Sequence, residues 1–237
     1  MTNLQEALLL TLLAGGAIPV GGAIAAVEHI RPAWLEEEFR HTVIAFGGGA
    51  LFAAVALILV PRGIGGLSKL AVLSAFVAGA VVFLAASRFF ARQGGAISQS
   101  IAMLLDFIPE AMALGAVLSD DAPTALLLAF LIGLQNLPEG FNAYREMKAG
   151  DYGSRRTILV IFTLLAFVGP LSAYVGITFL TEHKYLLHWI MLFCAGGILY
   201  LIFQDIAPQA KLKRSWLPSL GAVAGFLLGV LGHMITT

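Results

Sequence analysis

Two short stretches of this chain set polar side chains four residues apart around a proline. They are Asp106-Phe107-Ile108-Pro109-Glu110 and, twenty-nine residues later, Gln135-Asn136-Leu137-Pro138-Glu139-Gly140. On a helix, residues four apart share a face one turn apart, so each stretch offers two oxygen-bearing side chains to a single neighbour. Inside a helix the proline lacks an N–H and leaves the carbonyl four residues earlier, here Leu105 or Leu134, without its usual donor. Two such helices packed face to face would gather three carboxylates, an amide and two bare carbonyls. That is the chemistry of a cation site built from oxygen.

Both stretches lie within long apolar segments. An uncompensated carboxylate at mid-membrane depth costs about 2.5 to 3.5 kcal/mol or more, and like charges sharing a site oppose each other's ionisation. A divalent cation removes both penalties. Protons remove them too, which makes metal and proton competitors for Asp106, Glu110 and Glu139. The plainer reading keeps these three as neutral carboxyls that pin helices together through hydrogen bonds.

The elements that must carry these residues are membrane helices. The chain of 237 residues is 59% hydrophobic and 12% charged, against roughly 25% charged in soluble domains, which excludes a soluble globular fold. Basic and acidic residues number fourteen each, so net charge points to no nucleic-acid partner. Cutting the sequence where charges cluster leaves eight apolar spans near 4–27, 41–60, 67–88, 97–118, 122–144, 157–180, 186–208 and 216–236, each long enough to cross a bilayer as a helix. We therefore predict an all-α membrane protein of eight transmembrane helices, residues 1–237 forming one transporter domain, with kinked Pro-Glu helices in spans four and five.

The links between spans sort by charge. One set with its helix ends carries Arg31, Arg40, Arg88, Arg92, Arg145, Lys148, Arg155, Arg156, Lys211, Lys213 and Arg214; the other carries Arg62, Lys69 and Lys184. The positive-inside rule puts the basic set in the cytoplasm and both termini outside, in a cell (plasma or bacterial inner) membrane. The first residues lack the basic start of a secretory signal, so the first span is expected to stay with the protein. Gly15-Gly16, Gly21-Gly22, Gly47-Gly48-Gly49 and Gly196-Gly197 lie inside apolar spans, where glycines let helices approach closely rather than cradle phosphate. Pro19, Pro170 and Pro208 are expected to kink or end their helices, and Pro170 to free the carbonyl of Ala166. Cys194 alone forms no intrachain disulfide.

Further titratable residues sit near the span ends. Asp205, beside Gln204, lies at the inner end of span seven. His183 and His188 flank the short external loop before that span, close enough to collect cations at a mouth. His29 and His41 flank the first cytoplasmic loop around Glu36-Glu37-Glu38, a solvated helix start or a weak metal-acceptor patch. Nucleophile elbows, phosphate loops and zinc-protease helices are missing, so no enzyme is expected.

Eight spans, outward termini and proline-glutamate motifs in spans four and five resemble the Zrt/Irt-like (ZIP) family of divalent metal transporters. The segment from Ala195-Gly196-Gly197-Ile198 to Asp205-Ile206-Ala207-Pro208 is similar to that family's seventh span. The plan covers essentially the whole chain and the motifs about a tenth of it, with span five matching best. The resemblance implies that Asp106, Glu110, Gln135 and Glu139 bind the transported metal, with Asn136 as auxiliary, and that spans one, four, five and six move against two, three, seven and eight in an elevator-like alternating-access cycle. The departures are specific. Asp106 replaces a histidine, Phe107 an asparagine and Ala111 a glycine; span six offers only Leu165-Ala166-Phe167-Val168 where relatives often carry a glutamate; and Ile58-Leu59-Val60-Pro61 stands where an acid often ends span two. One metal position rather than two is expected, and replacing imidazole by carboxylate hardens it. The long histidine-rich loop seen between spans three and four in many relatives is replaced by a short link.

These observations lead to the expectation of a divalent cation as transported substrate, zinc by resemblance, with manganese, iron(II) or cadmium also compatible. The expected partners are the metal ion and the bilayer, with a homodimer left open. Two readings compete: a proton-linked transporter of a non-metal substrate, and a metal-binding membrane sensor without flux.

Overall fold

The computed structural model describes residues 2–28, 33–92, 95–210 and 215–236. Among them the chain folds into eight helices and no strand: α1 (Asn3–Val27), α2 (33–64), α3 (Lys69–Ala91), α4 (Gly95–Leu118), α5 (Ala122–Ala149), α6 (155–180), α7 (184–209) and α8 (Leu217–Thr236). Seven are long and apolar enough to cross a membrane, α4 not being among the seven. The protein is an all-α, multi-pass membrane protein. Its outward faces fit that solvent: Leu70, Leu73, Val77 and Val81 of α3 and Leu220, Val223 and Leu227 of α8 are all exposed, an apolar surface that water would penalise and lipid accepts.

Helix starts are set by polar residues just outside the apolar runs. Thr2 and Gln5 form a reciprocal capping box at α1, Ser68 accepts from the N–H of Ala71 at α3, Asp121 from Thr124 at α5 and Ser154 from Thr157 at α6; each satisfies an N–H that the helix itself cannot. The second and fifth helices extend beyond their apolar spans. α5 runs on to Ala149 before ending at Gly150 and Asp151, the latter at φ 55°. Apolarity marks where lipid ends, whereas Arg145, Glu146, Met147 and Lys148 are all good helix formers.

The helices run through Pro19, Pro109 and Pro138 without a break, and Pro208 lies in the last turn of α7. In α6 the interruption falls at Phe167, whose N–H reaches the Leu164 carbonyl at 3.2 Å. Single wide π turns occupy Val55–Leu59, Gly176–Leu180 and Ile202–Ile206, leaving local slack in the backbone ladder of α2, α6 and α7.

Two packing sets emerge. α1, α4, α5 and α6 pack on one another, while α2 lies along α8 and α3 along α7; α2 against α5 is the broadest junction between the sets. The α1–α5 contact is backbone on backbone. A Cβ on Gly21 would stand 2.0 Å from the Leu137 carbonyl, and one on Gly140 2.2 Å from that of Ile18, so both positions require glycine. The glycine pairs read as packing positions are helical throughout. The short links gather at two ends: the Arg62, Asp120, Asp121 and Lys184 side chains meet at one, and Glu28 meets Arg145 at 2.8 Å at the other. Arg31, Lys211, Lys213 and Arg214, part of the charge asymmetry, lie outside the described residues.

Candidate functional site

α4 and α5 do pack face to face, and their motifs meet. Glu110 and Gln135 are 0% and 1% exposed, and the Gln135 amide donates to Glu110 Oε2 at 2.7 Å. Asp106, 3% exposed, accepts the N–H of Phe107 at 2.9 Å. Asn136, fully buried, donates to the Ala14 carbonyl of α1 at 3.0 Å. Glu139 is only partly buried. Of the enclosed side-chain oxygens without a hydrogen-bond partner among the described residues, three lie in the two motifs, Glu110 Oε1, Gln135 Oε1 and Asn136 Oδ1; Asn142 Oδ1 and Thr181 Oγ1 are the others. An unsatisfied buried polar atom costs about 1 to 3 kcal/mol, so these three oxygens call for hydrogen-bond donors or a cation.

The expected gathering of carboxylates is only partly realised. Among the described residues, no three His, Cys, Asp or Glu side chains stand close enough to enclose an ion between them. Asp106, Glu110 and Glu139 lie within electrostatic reach of one another, and the Gln135 amide bonds the Glu110 carboxylate. The geometric cause is that Glu110 points to the helix interface while Glu139 lines a cavity.

That cavity, of about 250 Å³, begins at Asp106, Gln135 and Glu139 and runs past Asn142 to Glu146, Asp205 and Gln209 at the arginine-rich end. It has room for several water molecules. Its apolar wall is Leu51, Leu201 and Ile206, and α2 contributes Gly47 and Gly48. A Cβ on Gly47 would stand 2.8 Å from Pro138 Cγ, so a larger residue there would press on the proline of the motif itself. A larger groove of about 920 Å³ between α2, α7 and α8 is lined by residues such as Phe52, Phe203 and Phe226 and by no ionisable side chain. Its chemistry is that of lipid contact.

Phe107 and Asn136, the second residues of the two motifs, meet the same turn of α1. The Phe107 ring fills the space between α1 and α6, where a Cβ on Gly15 or Gly169 would lie 2.7 or 2.5 Å from its Cζ. The Ala166 carbonyl also faces Gly15, at 2.9 Å from such a Cβ. An apolar ring thus occupies the ground next to Asn136. Cys194 is buried and free of any disulfide, as a core residue would be.

The residues expected at an entrance or exit fare unequally. Asp205 lines the cavity near Glu146. His183 and His188 are not brought together as a collecting pair: the His183 ring stacks on Phe179 and bonds its carbonyl at 2.7 Å, while His188 bonds the Arg62 carbonyl at 2.7 Å. Each ring satisfies a nearby carbonyl, on different helices. His41 bonds the Glu37 carbonyl of its own helix at 2.6 Å, and His29 lies outside the described residues. Reading by motif missed Asn142 and Glu146. Asn142 donates to Glu146 at 2.7 Å, and both were legible as a continuation of one helical face, since Gln135, Glu139, Asn142 and Glu146 follow at steps of four, three and four.

Compared with known proteins, the chain matches no family model and none of the curated proteins.

Proposed function

We propose that the protein moves a divalent metal ion across the membrane into the cytoplasm through one intramembrane site formed by Asp106, Glu110, Gln135 and Glu139, with Asn136 as an auxiliary donor. The observation that carries this reading is the set of three buried, unpartnered oxygens on Glu110, Gln135 and Asn136 beside Asp106. A bound cation would supply the missing partner for such oxygens, and among the described residues no side-chain donor does so. The cavity lined by Glu139, Asn142, Glu146 and Asp205 supplies a polar route from that site to the arginine-rich end, which the positive-inside rule assigns to the cytoplasm. Relative to an imidazole site, oxygen donors shift preference towards harder ions such as manganese and iron(II) while still accepting zinc, and zinc is the substrate that the likeness to the ZIP pattern favours. Phe107, wedged next to Asn136, supports a single metal position. The two packing sets are those that an alternating-access movement would displace against each other.

Metal uptake by vesicles tests this directly. With Glu110→Ala or Glu139→Ala, uptake is expected to fall below about a tenth of the unmodified rate, as loss of a charged ligand worth 1.5 to 3 kcal/mol requires. Retention of most of the transport in both variants sinks the assignment. A second reading has an observation of its own: the absence of a three-residue acidic or histidine cluster among the described residues also suits carboxylates that relay protons for a non-metal substrate. Proton flux that needs no metal would favour it.

A further inference from the structure

Two ion pairs lie at the arginine-poor end, and both cross between the packing sets. The guanidinium of Arg62, at the end of α2, donates to Asp121 and, at 2.9 Å, to the hydroxyl of Thr124, both at the start of α5. Lys184, which opens α7, donates to Asp120 in the α4–α5 link. The cations come from the set containing α2 and α7, the carboxylates from the set containing α4 and α5. His188 of α7 donates to the Arg62 carbonyl, tying the base of that cation to its own set. At the opposite end, the described ion pair, Arg145 with Glu28, joins α5 to the end of α1 within a single set, and there the cavity reaches Glu146, Asp205 and Gln209. Among the described residues, the ion pairs between sets thus lie at the end where Leu118, Ala125 and Leu187 are buried just beneath them, while at the arginine-rich end the sets meet through apolar contact such as Phe39 of α2 on Phe141 of α5.

We infer that Arg62 with Asp121 and Lys184 with Asp120 form a latch that holds the arginine-poor end shut while the cavity opens at the other end, and that releasing it shifts the protein towards the opposite opening. The inference rests on the alternating-access part of the proposed function but not on which substrate is carried. Half-exposed ion pairs contribute modestly, so two pairs together set a bias between two states rather than a lock. That magnitude suits a device that must open in every cycle.

The test uses the full-length protein in vesicles without metal, with Cys194→Ala as background and a membrane-impermeant maleimide applied to each face. One reporter is Leu51→Cys in the cavity wall; the other is Ala125→Cys beneath the latch. With the latch intact, Leu51→Cys reacts from the arginine-rich face and Ala125→Cys stays protected. Combining Arg62→Gln with Lys184→Gln is expected to raise the labelling rate of Ala125→Cys about fivefold and to lower that of Leu51→Cys. Unchanged rates overturn the inference, and so does a rise at both reporters, which would mean general loosening. The exchanged pair Lys184→Asp with Asp120→Lys keeps the charges and should restore the original pattern; failure to restore it also counts against the latch. Because no metal enters the assay, the latch can stand where metal uptake fails, and uptake can succeed where the latch fails.

Discussion

The two copies of the proline-glutamate motif are put to different uses by the helices that carry them. In α4 the face bearing Asp106 and Glu110 continues into Ala113, Leu114 and Val117, all buried and apolar. In α5 the face that begins at Gln135 continues through Glu139, Asn142 and Glu146 along the cavity. The first copy ends in the packed interior, and the second copy extends along the cavity. A motif's internal spacing tells where its side chains sit on the helix; the turns beyond it tell whether an ion can reach them.

The sharpest way to break this comparison is at the second residue of each motif. Phe107 is a fully buried ring between Gly15 and Gly169, whereas its counterpart Asn136 holds one hydrogen bond to the Ala14 carbonyl. Phe107→Ala is therefore expected to cost about 3 to 5 kcal/mol of stability through lost packing and the cavity left behind. Asn136→Ala should cost about 1 kcal/mol. Unfolding in detergent, followed for both variants, measures the contrast; equal losses would mean that the two positions play the same part.

A smaller effect is expected at the bond that joins the two copies. Gln135→Ala removes the donor to Glu110 Oε2, leaves that carboxylate with no side-chain partner and deletes one of the proposed metal donors. Cation affinity should fall about tenfold, or about 1.4 kcal/mol, read by equilibrium binding to the purified protein. An unchanged affinity would take Gln135 out of the site. Smaller still is the expected effect along the route. Glu146→Gln keeps an acceptor for Asn142 but removes a charge from the cavity wall, so the transport rate at saturating cation should drop about threefold with equilibrium affinity unchanged, the size of a local charge effect. A loss of affinity instead would make Glu146 part of the binding site and erase the distinction between site and route.

How much of this was legible in the sequence varies by residue. The helices were, because lipid imposes a length and an apolarity that few other folds share. The meeting of Glu110 with Gln135 was too, because residues four apart around a proline can only face one neighbour. The reach of α5 to Ala149 was hidden: beyond residue 144 the chain turns polar while its helix propensity persists. The converging trio of carboxylates was overestimated, since spacing along two helices fixes two faces but not their relative rotation, and that rotation sends Glu110 to an amide and Glu139 to a cavity. The spacing of His183 and His188 did not reveal which groups their rings would bond. A ring at a helix end satisfies the nearest carbonyl, which for His188 belongs to Arg62, on a helix more than a hundred positions away in the chain.

The smallest expected change lies at the far end from the cavity, in the Asp121 carboxylate that pairs with Arg62. Asp121 accepts the N–H of Thr124 at 3.0 Å, its hydroxyl at 2.8 Å and the guanidinium of Arg62. Partial burial pushes its pKa up, but the Thr124 bonds and the Arg62 charge outweigh burial and hold the carboxyl below its ordinary range. A carboxyl with a depressed folded pKa contributes stability that is complete above its unfolded pKa, about 3.9, and is lost as pH falls through the folded value. Of the other charged groups at this end, His188 bonds a carbonyl of Arg62 rather than a carboxylate, and Lys184 pairs with Asp120. Asp121→Asn keeps an oxygen to cap α5 but no charge for Arg62. The gap in unfolding temperature between the unmodified protein and this variant should therefore stay constant from about pH 8 to about pH 5 and close below about pH 4. A gap that instead changes near neutrality would assign the sensitivity to a histidine and leave Asp121 as a helix cap alone.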